Sequence, residues 1–456
     1  MSFQRFVTPL SLLLWLAVIG CSDAEEASGD GLPSPDAGHD ATGSLGCANF
    51  EALENVLVPQ GGSVSIPRTG SLADSTLAVE VTGALAVDVT DATIVLYDTV
   101  DSPSEEGRAL RTTCAGRTET FPVAIRSLTW SRVSAWDPND GGPPGREYFS
   151  WWLDDDGSRL FVLGGYHYLP TQYTPASDMW TFDFTTSKWL DLGAVPNVPT
   201  LPGARVAQGS APNSVYLFGG TAPTEDGSVM TPSSLRAFEY TNDEYTWADA
   251  PNSNGAPGSY TGAFLHDSKR NRWLSVCGLS SWTGVFCDVA EYTPGAGWAP
   301  LAVAAGAAPS GRFGFFYGYD EATDRVFIYG GSDGYRNADL AGDTWALELG
   351  ETPARWVKLS DETPVSSHRR NGAFAIDPTG RRFFIWGGTS NGATSMPGIQ
   401  VMSLDRGHEV WRHVATPIDV PPRTSGMGLH DPTRDRILWG FGNDVAVYTD
   451  LWAMAL

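Results

Sequence analysis

Six arginines are the residues of this chain best equipped to do chemistry. Arg146, Arg312, Arg369 and Arg423 each stand 19 residues before a glycine that closes an apolar run, Arg205 stands 15 before another, and Arg370 adjoins Arg369. A planar guanidinium offers paired donors that match a carboxylate or phosphate, so arginines around one opening would recognise an anion. Their recurrence argues for a second duty. A mark present in nearly every unit serves the unit, by holding carbonyls or carboxylates between neighbouring units, so the five recurring arginines read first as scaffold. Arg370, and Ser259 at the position where the third unit lacks the arginine, break the pattern and are the better candidates for recognition.

Acidic clusters are the next candidates: LDDDGSR, HDSKRNR, YDEATDR, IDPTGRR and HDPTRDR. Each falls between two apolar runs, and Asp followed by polar residues, Pro or Gly is hairpin-turn chemistry. None has the spacing of a calcium loop. No nucleophile motif, phosphate-binding glycine loop with lysine, or metal-ligand spacing is present, so no cofactor is expected. Setting Cys21 aside, four cysteines remain, which allow three pairings. Proximity favours Cys47 with Cys114 and Cys277 with Cys287.

The elements that must position these residues repeat. Apolar runs ending in glycine occur at 159–165, 214–220, 272–278, 325–331, 382–388 and 436–442, with steps of 55, 58, 53, 57 and 54 residues between last glycines. A further run follows, seen as DMWTFDF, DTWALEL and DLWAMAL, and then a tryptophan 20 to 27 residues past the glycine: Trp189, Trp247, Trp298, Trp356 and Trp411. Each unit therefore predicts four strands. A regular period of this size means an array or a propeller.

This pattern resembles the kelch repeat, in which an Arg-led strand, a strand ending in Gly-Gly, an aromatic third strand and a Trp-bearing fourth build one blade. The last unit stops at Leu456 without its fourth strand. A matching strand carrying Trp130 lies upstream, 16 residues before Arg146, the interval that also separates Trp189 from Arg205. The expected fold is all-β: a six-bladed kelch-type propeller over residues 126–456, closed by this N-terminal strand. Residues 46–122, with β-branched alternation and no helical period, are expected to form a small β domain.

The chain begins with Arg5, an apolar run and Cys21 directly after Gly20. The run is too short for a spanning helix, which needs about 20 apolar residues, and reads as a signal peptide over 1–20. VIGC resembles the lipobox of bacterial lipoproteins, which implies a lipid on Cys21. By the same resemblance Ser22 directs the protein to the outer membrane. Residues 21–45 are acidic and rich in Ser, Gly and Pro, the composition of a flexible tether. The net charge of −24 repels phosphate backbones, so nucleic acid is excluded as a partner.

The long connections after the glycines are aromatic and define one face. Tyr166 and Tyr168 lie in the first, Trp282 in the third and Tyr335 in the fourth. Trp282 would either be presented by the paired Cys277 and Cys287 or pack on a neighbouring loop. The kelch resemblance places Arg146, Arg205, Arg312, Arg369, Arg370 and Arg423 near the channel mouth on this face. The expected function is a binding or scaffold module for a protein or glycan, anchored to the membrane through Cys21. The alternative is a carbohydrate-processing enzyme resembling N-acetylneuraminate epimerase or galactose oxidase. For a galactose-oxidase copper centre only His167 and His368 fall on the loop face.

Overall fold

A computed structural model of the chain describes residues 50–456 apart from 51–52, 55, 74–76, 100–106, 115, 136–140, 170–171, 194, 225–227, 242–243, 257, 335–339, 362–367, 393, 415, 418 and 445. The expected signal segment, the tether with Cys21, and Cys47 and Tyr335 lie outside the described residues.

Among the described residues six four-stranded antiparallel sheets follow one another along the chain. The first contains Ser150–Leu153, Arg159–Leu163, Met179–Asp183 and Lys188–Asp191 in that order. The next four repeat the order, starting from Ala204–Gln208, Ala263–Asp267, Phe316–Asp320 and Ala373–Asp377. In the sixth, Met427–Asp431, Arg436–Gly440 and Leu451–Ala455 are completed by the upstream strand Thr129–Ser134, with Trp130 opposite Met454. That pairing covers an edge that would otherwise present unpaired backbone groups. The Arg132 guanidinium lies 4.6 Å over the Trp452 ring across the same seam.

The second strand of a sheet is covered on both sides, which is why its residues run continuously apolar rather than alternating. Arg325–Tyr329 and Arg382–Trp386 are buried at every position. Large aromatics fill the spaces between sheets: Trp130, Trp386 and Trp439 lie with ring centroids 5.6 to 6.5 Å apart. The first strand of each sheet packs on the first strand of the next, and that of the sixth on that of the first.

The glycine doublets sit where sheets approach most closely. A Cβ on Gly219 would lie 1.9 Å from the Ser259 carbonyl oxygen, and one on Gly387 2.0 Å from that of Arg423. The next glycine amide donates to the same oxygens, Gly220 to Ser259 and Gly388 to Arg423, both at 2.9 Å.

The acidic turn residues close hairpins. Asp267, Asp377 and Asp431 each accept a hydrogen bond from the Nε of the arginine five residues on, Arg272, Arg382 and Arg436, at 2.8 Å.

The upstream region forms two small sheets. One orders Val56–Pro59, Arg117–Arg126, Ala109–Cys114 and Ala78–Thr82, and the other Ser63–Pro67, Thr93–Asp98 and Leu85–Val89. Leu53, Val58, Ile94, Leu96 and Leu110 are fully buried between them. The last strand runs to Arg126, past the expected boundary at 122. Cys114 is disulfide-bonded. This region rests on turns of the fifth sheet: Arg382 Nη1 donates to the Gln60 carbonyl at 3.0 Å, and the Tyr97 ring stacks on His408 at 3.7 Å.

Candidate functional site

Four of the six candidate arginines are internal struts. Arg146, Arg312, Arg369 and Arg423 are buried, and each Nη1 donates to the carbonyl 18 residues on: Gly164, Gly330, Gly387 and Phe441, at 3.0 to 3.3 Å. In three sheets the guanidinium also grips an aspartate at the start of the third strand, Asp178, Asp343 and Asp450, with nearest contacts of 2.6 to 2.7 Å. Each of these aspartates accepts a second bond from a tryptophan two residues on, Trp180, Trp345 and Trp452, at 2.7 Å. The recurring DxW of the third strand is thus the partner of the recurring arginine.

Burial alone would raise the Asp178 and Asp343 carboxyls, but hydrogen bonds from His167 and Arg146 to the first and from Arg312 to the second hold both below the ordinary carboxylate range. In the fifth sheet Gly398 replaces the aspartate, and burial lowers the Arg369 guanidinium. The expectation that these four arginines face the channel mouth is corrected: each is buried and bonded through Nη1 inside its own sheet. Ser259 is corrected with them. It is buried, and its Oγ donates to the Cys277 carbonyl at 3.1 Å, the same backbone position that the arginines serve elsewhere.

Two residues after each strut position, the chain turns into left-handed backbone. Tyr148, Gly203, Thr261, Gly314, Asn371 and Ser425 have φ between 49° and 79°. Their amides and carbonyls link sheet to sheet: Gly203 N donates to Tyr148 O, Thr261 to Gly203, Gly314 to Thr261, Asn371 to Gly314 and Ser425 to Asn371, at 2.6 to 3.2 Å. These six residues form a collar around the axis.

Tyr148 fills it. Its ring packs on Tyr260 of the third sheet at 5.7 Å and edge-on against Tyr166 at 6.4 Å, while its hydroxyl accepts from Asn371 Nδ2 of the fifth at 3.2 Å. Two collar glycines make the room. A Cβ on Gly203 would lie 2.3 Å from the Tyr260 ring, and one on Gly314 2.2 Å from Asn371 Oδ1. Burial, reinforced by Glu147, pushes the Tyr148 phenol up, and burial with Tyr148 beside it pushes Tyr260 well up. Nothing in the repeat pattern announced this plug, although small or amide residues at four of the six collar positions were its trace.

Arg205 belongs to neither group. Leu201 occupies the strut phase in the second sheet, and Arg205 lies four residues further on, in the inner strand. It lines a cavity of about 380 Å³ formed by the inner strands of all six sheets, with Trp151, Tyr317 and Phe374 near it and Gln208, His266, Tyr319 and His430 toward the turns. Its Nε is buried without a hydrogen-bond partner.

On the loop face, Arg370 lies beside the plug, with its guanidinium 5.8 Å from the Phe313 ring and Nη1 donating to Gly334 O at 3.3 Å. Tyr166 contacts Tyr148 as above and its hydroxyl meets Thr221 Oγ1 at 3.3 Å. Tyr168 falls in the strand Tyr166–Leu169. His167 Nε2 lies 3.3 Å from Asp178, and His368 is buried. Among the described residues no three His, Cys, Asp or Glu side chains converge as metal ligands.

Trp282 is 78% exposed, at the tip of the hairpin Arg272–Ser280 to Gly284–Thr293. The Cys277–Cys287 disulfide joins its two strands. Thr231 of the preceding sheet's loop braces the tip, its amide and hydroxyl each 3.1 Å from Ser281 Oγ. Of the two alternatives for Trp282, presentation holds and packing on a loop does not.

No family model matches the chain, and no curated protein matches it. Among solved structures, YjhT is similar at 14% identity and a TM-score of 0.51, over 69% of this chain and 96% of its own. A fungal alcohol oxidase of the AA5 family, in complex with copper, is similar at 15% identity and a TM-score of 0.48, over 71% of this chain and 76% of its own. YjhT is a propeller protein, and its likeness shows the fold: the chain is an all-β protein built as a β-propeller.

Proposed function

We propose that this protein is a six-bladed kelch-type propeller that works as a binding module for a protein or glycan partner, displayed from the cell envelope. In this reading the lipid on Cys21 anchors it in the outer membrane and residues 21–45 are the tether. The observation that carries the binding role is Trp282, a large exposed indole on a hairpin that is covalently stapled and braced from the side. An aromatic held rigid before the partner arrives loses little conformational freedom on binding, and such residues dominate recognition energies. A planar indole also offers a face for a sugar ring or an apolar side chain. The test is a glycan and peptide array probed with the full-length protein and with Trp282→Ser. Specific signals lost in the variant support the reading, and an array on which the two proteins behave alike refutes it.

A second reading, catalysis on carbohydrate, draws on one observation. Glu147, Tyr148 and Arg370 meet at the collar, where an acid, a phenol and a cation stand close enough to influence one another. Their burial speaks for a plug: Glu147 is 4% exposed and the Tyr148 hydroxyl is engaged by Asn371. Turnover of a sugar by the wild type that vanishes in Tyr148→Phe would favour the enzyme.

A further inference from the structure

Charge, burial and shape coincide at one place outside the loop face, the inner channel beneath the plug. Among the described residues Arg205, Arg236 and Arg436 carry a buried guanidinium nitrogen without a hydrogen-bond partner. Arg236 and Arg436 still face a carboxylate, Asp249 and Asp431 respectively. Arg205 has no carboxylate partner among the described residues. Arg205 is half-buried with its Nε enclosed and unpartnered at the cavity, so an anion bound there would meet a donor that the protein leaves unsatisfied.

The surroundings select the ligand. The cavity of about 380 Å³ is of the size that encloses a small molecule, and Trp151, Tyr317 and Phe374 supply flat apolar walls beside the guanidinium. Arg205 also borders the small space under Tyr148, Asn371 and Ser425, so it marks the closed end. Tyr148 shuts off the loop side. The route in runs from the hairpin turns, past His266, Tyr319, His430 and the exposed Gln208.

We propose that this blind channel is a binding site for a small anionic ring compound, entered from the turn face, with its carboxylate or phosphate on Arg205 and its ring against Trp151, Tyr317 and Phe374. The site is separate from the Trp282 surface, and each can fail without the other. The overall charge of −24 makes a lone cation in a narrow channel the local exception that draws an anion inward.

The experiment is thermal unfolding of the full-length protein with D-glucuronate, D-glucose 6-phosphate or D-glucose, repeated on Arg205→Gln and Arg205→Lys. The proposal expects at least one of the two anionic sugars to raise the melting temperature while glucose does not, and the responding sugar names the anion as carboxylate or phosphate. Arg205→Gln should weaken that ligand about ten- to a hundredfold, and Arg205→Lys should retain part of the affinity. An equal shift with glucose, an undiminished shift in Arg205→Gln, or no shift with either anion overturns it. The wild-type comparison of charged with neutral sugar decides the question even if a variant folds poorly.

Discussion

The hydroxyl of Tyr148, on the first sheet, accepts a hydrogen bond from Asn371 on the fifth at 3.2 Å, so one side chain spans the axis of the propeller. Both residues sit in left-handed backbone within the collar, and Gly203 and Gly314 leave the space that Tyr260 and Asn371 occupy. The molecule therefore has two unlike ends: a plugged loop face with an exposed indole, and an open turn face leading to Arg205.

The collar glycines should be intolerant of even one carbon. Gly314→Ala places a methyl 2.2 Å from Asn371 Oδ1 at a φ of +64°, and Gly203→Ala meets the Tyr260 ring at 2.3 Å. Each should cost about 1–3 kcal/mol in urea denaturation. Gly193→Ala, which meets nothing within 4 Å but shares a left-handed φ of +64°, separates the backbone cost from the clash. It should be the mildest of the three.

The stapled hairpin should loosen without its disulfide. Ten residues separate Cys277 from Cys287, and closing so short a loop stabilises by about 2–3 kcal/mol on the chain-entropy model. Replacing both cysteines by serine should lower stability by that order in chemical denaturation and speed proteolysis near Trp282. Unchanged proteolysis would mean that the Thr231 brace alone holds the tip.

Acid should weaken the sheets through their aspartates. The folded-state pKa values of Asp178 and Asp343 lie below the ordinary one, so their contribution is complete above about pH 4 and is lost as the pH falls through the folded values. Melting temperature should fall on acidification below about pH 4, and less steeply in Asp343→Asn. A variant that is as acid-sensitive as the wild type would assign the loss to other carboxylates.

Repeat phase made much of the propeller legible. The six glycine-terminated runs became second strands, Trp130 fell in the strand that completes the last sheet, and Cys277 did pair with Cys287. The direction in which the arginines point was not legible, because a phase repeated in sequence fixes a position in the sheet and not the partner of a long side chain. Asp178, Asp343 and Asp450 were visible as DMW, DTW and DLW, and pairing them with the arginine one hairpin back would have identified the struts. Tyr148 was hidden because the collar is defined by backbone conformation, which Tyr and Thr rarely adopt. Arg205 looked like a shifted copy of the others, and the shift of four residues is what frees it.

The central claim is that the repeated arginines hold the sheets together while Arg205 is free for a ligand. The most direct test compares the melting temperatures of Arg312→Met and Arg205→Met with that of the wild type. Arg312→Met strands Asp343, and losing one partner of a buried pair costs about 3–5 kcal/mol, or on the order of 5–10 °C. Arg205→Met removes an unpaired cation and should leave the melting temperature unchanged or raise it. A fall for Arg205→Met as large as that for Arg312→Met would contradict the account, since it would show that Arg205 too is part of the scaffold.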